Sequence, residues 1–234
     1  MKKYLQYKRR FIMRKIVLLF IIISFSFITV SQVSALTSLW IKGGVNIAKQ
    51  NDDPEDSNLN QSSRLGAIGG LGLEIGFGGI SFDMGALYEQ KGEDATYSYL
   101  AQNLSTGEIG TVQGEAKIKV DYLTFPLLLK AKIESESIGL YFGAGLGIGV
   151  LMSAKLDQKE TFGTLEATAS TDVKDLVKSS DMGILGVFGF HISSFLVETI
   201  VNYGITDINN IEGSTATSKN FSIGILAGFR FDLI

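Results

Sequence analysis

The sequence predicts an all-β fold, an eight-stranded antiparallel up-and-down transmembrane β-barrel. Three observations predict it. Eight apolar, glycine-rich segments recur after residue 36, and several alternate residue by residue. Their connections alternate long and short without exception, the pattern of outer-membrane barrels with short periplasmic turns and longer extracellular loops. No stretch of 18 apolar residues follows the N-terminal segment, which leaves no helix to cross a bilayer.

The N-terminus reads as a signal peptide over residues 1–35. Lys2, Lys3, Lys8, Arg9, Arg10, Arg14 and Lys15 form a basic n-region, Ile16–Val30 an apolar h-region, and Val33-Ser34-Ala35 a small-residue cleavage site. The apolar run is about fifteen residues, short of the roughly 20 that an anchor requires. Met13, followed by Arg14 and Lys15, reads as an alternative start. Residues 36–234 then form one barrel domain, with no peptidoglycan-binding domain expected after the last strand.

Of 21 Lys+Arg and 24 Asp+Glu, the leader takes seven basic residues and no acidic ones, leaving 14 against 24 and a net charge of −10. An acidic exported chain is poorly suited to nucleic acid, which needs basic patches. There is no cysteine, so the domain must hold itself by its ladder and packing.

The predicted strands are Leu39–Ala48, Leu65–Phe77, Ile80–Lys91, Lys117–Ile133, Ile138–Leu151, Asp181–Ile192, Phe195–Ile208 and Asn220–Leu233. Gly78-Gly79, Glu134–Ser137 and Ser193-Ser194 are the tight turns. Lys49–Arg64, Gly92–Ala116, Asp157–Ser180 and Asn209–Lys219 are the long loops. Alternation assigns the faces. The last strand is clearest, with Phe221, Ile223, Ile225, Ala227, Phe229, Phe231 and Leu233 on one side. Lipid-facing rows elsewhere include Leu71, Leu73, Ile75 and Phe77; Phe82, Met84 and Tyr88; Leu123, Phe125, Leu127 and Leu129; and Phe142 and Leu146. In the sixth strand the register with Met182, Ile184, Phe188 and Phe190 outward is preferred, because it sends Asp181 and His191 inward.

The inward face is small and charged. Its glycines do not open an amphipathic helix and no Lys-Ser/Thr follows them, so they do not form a phosphate cradle; they let a narrow barrel curve. Lys42, Lys130, Lys132 and Arg230 face inward with Glu74, Asp83, Glu89, Glu198 and Asp232. An eight-stranded barrel has room only for side chains. Unpaired buried charges are costly, so these nine residues are expected to pair into a structural network that plugs the lumen. Pro126 cannot donate to a ladder, and a bulge or local break is expected there.

Asp121-Tyr122-Leu123-Thr124-Phe125-Pro126-Leu127-Leu128-Leu129-Lys130 resembles the Tyr-Leu-x-Ile-Pro-Leu-Leu-Leu-Lys strand of the PorT-like outer-membrane β-barrel family. Trp40-Ile41-Lys42-Gly43-Gly44-Val45-Asn46 resembles that family's opening Gly-x-Lys-x-Gly-x-Asn strand, and Tyr141–Gly149 its aromatic-then-glycine fifth strand. The resemblance covers essentially the whole of residues 36–234. It departs at Trp40, where the family often has Gly, and at the terminal Phe231-Asp232-Leu233-Ile234, where many such barrels end on an aromatic residue. It implies an outer-membrane location, and contact with membrane lipid, lipopolysaccharide and the insertion machinery. One branch is implicated in secretion, a role that fold motifs do not transfer.

Candidate chemistry is sparse. His191 is the only histidine, with Ser193, Ser194 and Glu198 nearby in sequence. Its place before a short turn puts it on the periplasmic side, away from outer-leaflet acyl chains, and residues around one tight turn rarely form triad geometry. A hydrogen-bonded turn histidine is the expectation, with no catalytic residue assigned. Asp52, Asp53, Glu55 and Asp56 lack the spacing and glycine of a calcium loop and read as a solvated acidic segment, although calcium bridging to lipopolysaccharide phosphates stays open there. One His and no Cys leave no zinc set, and no cofactor is expected. Tyr97, Tyr99 and Leu104 suit a protein or glycan partner and equally suit a lid. The expected function is a non-enzymatic outer-membrane barrel acting through four extracellular loops in adhesion, partner docking or envelope integrity. The rival readings are a lipid-modifying enzyme and a soluble lipocalin-like carrier whose large side chains would point inward.

Overall fold

The computed structural model describes residues 36–53, 60–102, 107, 109–135 and 137–233. The leader segment, the alternative start, Glu55, Asp56 and Leu104 lie outside the described residues. The strands are β1 (Leu36–Asp53), β2 (Asn60–Phe77), β3 (Ile80–Gln102), β4 (Ile109–Glu134), β5 (Ile138–Phe162), β6 (Leu165–Asp172), β7 (Ser180–Ile192), β8 (Phe195–Gly204) and β9 (Thr217–Asp232). All pair antiparallel. Eight of them close a ring in the order β1-β2-β3-β4-β5-β7-β8-β9 and back to β1, while β6 hangs on β5 outside it. Closure gives every ring strand two neighbours, the arrangement an apolar solvent demands of a sheet.

The faces follow the alternation of the sequence. Leu71, Phe142, Phe188 and Ile225 point out and are 59–63% exposed. The large apolar side chains therefore cover the outside, the reverse of the lipocalin-like expectation. In β7, Leu185 and Val187 are buried while Ile184 and Phe188 are exposed, so the preferred register is the one observed. Met84 and Ile75 share the outward parity yet are buried. Met84 is flanked across the ladder by Leu73 and Leu127, which shield it. At one end the turns are tight: Gly78 and Ser193 each open a two-residue turn with φ of 66° and 53°, the left-handed backbone such hairpins use.

The other end departs from expectation. Much of the predicted loops Lys49–Arg64, Gly92–Ala116 and Asp157–Ser180 is strand, and the third carries the extra strand β6. β8, in contrast, stops at Gly204 rather than Ile208. The β3–β4 and β4–β5 ladders run on to Gln102↔Ile109 and Val112↔Phe162, with β6 beside β5. These four strands form a sheet that stands above the ring. Its sequence alternates in the opposite sense. In β4, Leu123–Leu129 put leucine and phenylalanine outward, whereas Glu115, Lys117, Lys119 and Asp121 follow on the same parity and Tyr122, Val120 and Ile118 turn inward. Outward charges there pair as Lys119–Asp157 at 2.5 Å and Lys159–Glu166 at 2.9 Å. The change coincides with a bulge. Asp121 faces Ser153 and Tyr122 faces Leu151, so Met152 is the extra residue.

Of the bulge or local break expected at Pro126, the break is found and the bulge is not. Pro126 pairs with Gly147 in unbroken register, and the β3–β4 ladder lapses only between Met84↔Leu127 and Leu87↔Thr124 without a shift. Lacking an N–H, Pro126 interrupts the bonding toward β3 and leaves the register intact.

Candidate functional site

The lumen is built in three layers that follow the order of residues along each strand. Nearest the tight turns is a charged layer. Lys42 of β1 pairs with Glu198 of β8. Lys130 of β4 contacts Asp83 directly and reaches Glu198 at 3.3 Å and Glu74 at 3.4 Å. Lys132 pairs with Glu74 and, at 3.3 Å, with Glu134. Aromatic donors complete the shell: Trp40 Nε1 donates to Asp83 at 3.1 Å and the Tyr141 hydroxyl donates to Glu198 at 3.1 Å. The Lys42 and Lys130 ammonium groups lie 4.1 Å and 4.6 Å from the Trp40 and Tyr141 ring centroids. The space left among these side chains is about 10 Å³, at most about one water probe sphere.

Above it lies an apolar layer of Ile68, Leu87, Leu128, Leu185, Ile200 and Leu226, none more than 3% exposed. Above that is a second charged group. Lys91 lies 3.1 Å from Glu89 and 3.3 Å from Asp181, Thr124 donates to Glu89 at 2.6 Å, and Asn220 donates to Asp181 at 2.9 Å.

The nine predicted lumen charges thus lie in two separate groups or at a rim. Lys42, Glu74, Asp83, Lys130, Lys132 and Glu198 come together, and Glu89 belongs to the upper group. Arg230 sits at the tight-turn rim, 3.4 Å from Glu134 and 3.2 Å from Asp232. Asp232, the ninth, is exposed there and accepts from the Ser38 hydroxyl at 2.6 Å. Sequence reasoning missed Lys91 and Glu134. Lys91 ends a predicted strand and Glu134 opens a predicted turn, and Lys91 carries the same inward parity as Glu89. His191 is buried, with Nδ1 3.2 Å from the Ser193 carbonyl oxygen and Nε2 3.3 Å from Arg230 and 3.5 Å from Glu134. Glu198 is engaged with Lys42, Lys130 and Tyr141 instead.

At the open end two features stand out. On the inner face of the standing sheet the Tyr97 and Tyr99 rings are stacked nearly parallel, 10° apart with centroids at 6.3 Å. Both hydroxyls donate to Glu160, at 3.0 Å and 3.4 Å. Gly114, paired with Tyr97, leaves room for its ring; a Cβ there would come within 2.2 Å of it. The second feature is Glu93 on β3, inward by parity and 3% exposed. Burial, then repulsion from Asp52 and Asp94, pushes its carboxyl up to about 7, against a backbone N–H from Gln50 that works the other way. A carboxyl raised in the folded state binds its proton more tightly there than in the unfolded chain. Its stabilising share is whole below the ordinary value of 4.5, declines as pH rises toward about 7, and is flat above. Amide protection factors over residues 49–53 and 60–63, which take out the intrinsic base-catalysed rate, are therefore expected to fall between those values and then level off. Glu93→Gln should flatten the profile; an unchanged slope in that variant would place its origin elsewhere.

The sequence matches no curated protein. Among solved structures the chain is similar to Neisserial surface protein A, at 12% identity over 83% of this chain and 97% of that one, with a TM-score of 0.41. It is similar to Ail, the attachment invasion locus protein of Yersinia pestis, in complex with the heparin analogue sucrose octasulfate, at 14% identity, 84% and 99% coverage and a TM-score of 0.35. It is also similar to the outer membrane protease OmpT of Escherichia coli, at 10% identity, 87% and 99% coverage and a TM-score of 0.35. A family model, the outer membrane protein beta-barrel domain, matches residues 32–210. A closed ring with an apolar exterior, and a family match over most of its length, identify this chain as an outer-membrane protein that belongs to the outer membrane protein beta-barrel domain family.

Proposed function

We propose that the protein is a non-enzymatic outer-membrane barrel with a sealed lumen, acting through the strands that stand above the membrane in adhesion, partner docking or envelope integrity. The observation that carries this reading is the apolar layer of Leu87, Leu128, Leu185 and Leu226 between two paired charge groups. An ion crossing it would shed its hydration among leucine and isoleucine side chains, with only the neutral Asn46 and Asn202 amides beside them. The stacked Tyr97 and Tyr99 on the standing sheet support a docking role, since tyrosine presents broad, rigid contact area. The partners of His191 support the absence of a Ser-His-acid triad, because neither Ser193 nor Ser194 offers it a hydroxyl. The strand Asp121–Lys130 with Pro126 supports placing the protein in the PorT-like branch.

Purified protein reconstituted in planar bilayers is expected to give no resolvable channel events at neutral pH, and its production should leave the lipid A profile of the host membrane unchanged. Regular conductance steps would sink the sealed-lumen reading, and a shifted lipid A profile the non-enzymatic one.

A further inference from the structure

β1 and β2 part before either ends. Their ladder stops at Ala48↔Arg64. Beyond it β1 stays with β9 as far as Asp53↔Thr217, and β2 stays with β3 as far as Asn60↔Thr96. The parting opens a cleft of about 400 Å³ at the extracellular end, whose lining includes Gln50, Asp52, Gln61 and Glu93. Two acids from different strands meet in it. A single amide, Gln61 Nε2, donates to Asp52 at 2.9 Å and reaches Glu93 at 3.4 Å. The other Glu93 oxygen, Oε2, is buried without a hydrogen-bond partner, in a residue only 3% exposed. A carboxylate desolvated to that degree beside a second carboxylate calls for a cation.

We propose that this cleft is a calcium site that ties β1 to the β2–β3 hairpin where the backbone ladder does not. Asp52 and Glu93 supply the carboxylates, and Gln61 supplies its amide oxygen once the amide turns over. Among the described residues no three Asp, Glu, His or Cys side chains converge as a metal set. Amide, main-chain and water oxygens must therefore complete the shell. Such a mixed and irregular oxygen set suits calcium, which takes roughly six to eight oxygens in flexible geometry, better than magnesium or a transition metal. The other charges near the cleft are few. Lys49 lines it, but its ammonium sits 6.0 Å from the Phe221 ring centroid on the outer face. Arg64 is engaged with the Lys91 carbonyl at 2.5 Å. Asp94 adds negative potential. Protons compete with a cation for the carboxylate oxygens of Asp52 and Glu93, so binding weakens as pH falls. The inference stands apart from the sealed-lumen and docking readings.

The test is calorimetric titration of calcium chloride into chelator-stripped protein folded in detergent, with folding verified by the gel shift on boiling. One calcium per chain is expected at pH 8, with affinity at least tenfold weaker at pH 5.5 and at least tenfold weaker in Glu93→Gln. Should Glu93→Gln not fold, Asp52→Asn, at a half-exposed position on the other strand, carries the same expectation. Absence of calcium heat at pH 8 from folded protein overturns the site. So does wild-type affinity in both variants, and magnesium binding as tight as calcium overturns the choice of ion.

Discussion

Replacing Lys130 by methionine is expected to destabilise the barrel by about 3–5 kcal/mol, the usual consequence of removing one partner from a buried ion pair. Lys130 is 2% exposed and is shared by Asp83, Glu74 and Glu198. Without it Glu198 keeps Lys42 and Glu74 keeps Lys132, but Asp83 keeps only the Trp40 N–H. Most of the loss should therefore trace to Asp83. Adding Asp83→Asn, which removes that charge and retains an acceptor for Trp40, should restore part of the stability. The readout is built in, because Trp40 is the single tryptophan of the chain and lies against both Asp83 and Lys42. Denaturant titrations of the detergent-folded protein followed by its fluorescence give the stabilities directly. A loss under about 1 kcal/mol in Lys130→Met would mean that water, rather than this network, solvates the acids.

Gly145→Val is expected to abolish the folded barrel. A Cβ at Gly145 would sit 1.9 Å from the Leu127 carbonyl oxygen, 2.8 Å from its carbon and 2.9 Å from the Leu128 Cα. All three are main-chain atoms of the neighbouring strand, so no rotamer relieves the clash. In a closed ring the strand cannot withdraw without opening its other ladder. At Gly186, on the outward face of β7, a Cβ meets nothing within 4 Å, so Gly186→Ala should fold as the parent does. Comparing boiled and unboiled samples on a gel decides the matter. A normal shift for Gly145→Val would show that the strands approach less closely than described.

How far the sequence could be read depended on which solvent each face meets. Within the apolar band the outward rows alternate strongly, and the ring order, the tight turns and the inward parity of Lys42, Glu74, Asp83, Lys130 and Glu198 were all legible. Above the band the lipid-facing row gives way to Lys117, Lys119 and Glu115, and the same ladder continues with a weaker pattern. Segments that read as loops were therefore strands; Lys91 was the last residue of a predicted strand and Glu93 fell just past it. The division of lumen charges into two groups was not legible either. Parity says which way a side chain points, whereas the height at which Leu87, Leu128 and Leu226 intervene depends on cross-strand register. His191 was located correctly near its turn, but Arg230 as its neighbour comes from a strand 39 positions away.

The seam of the ring carries a kinetic consequence. β1 pairs with β9 over sixteen residue pairs, from Ser38↔Asp232 to Asp53↔Thr217, and Ser38 and Asp232 are 194 positions apart. No local nucleus can form that joint, and closing so long a loop is the slowest kind of contact to make. Until it forms, β1 and β9 each present an unpaired edge, the template on which foreign strands add. The interval between emergence of the first strand and arrival of the last is thus the period in which this chain most needs a chaperone, and the last strand is the natural handle for whatever machinery ends it.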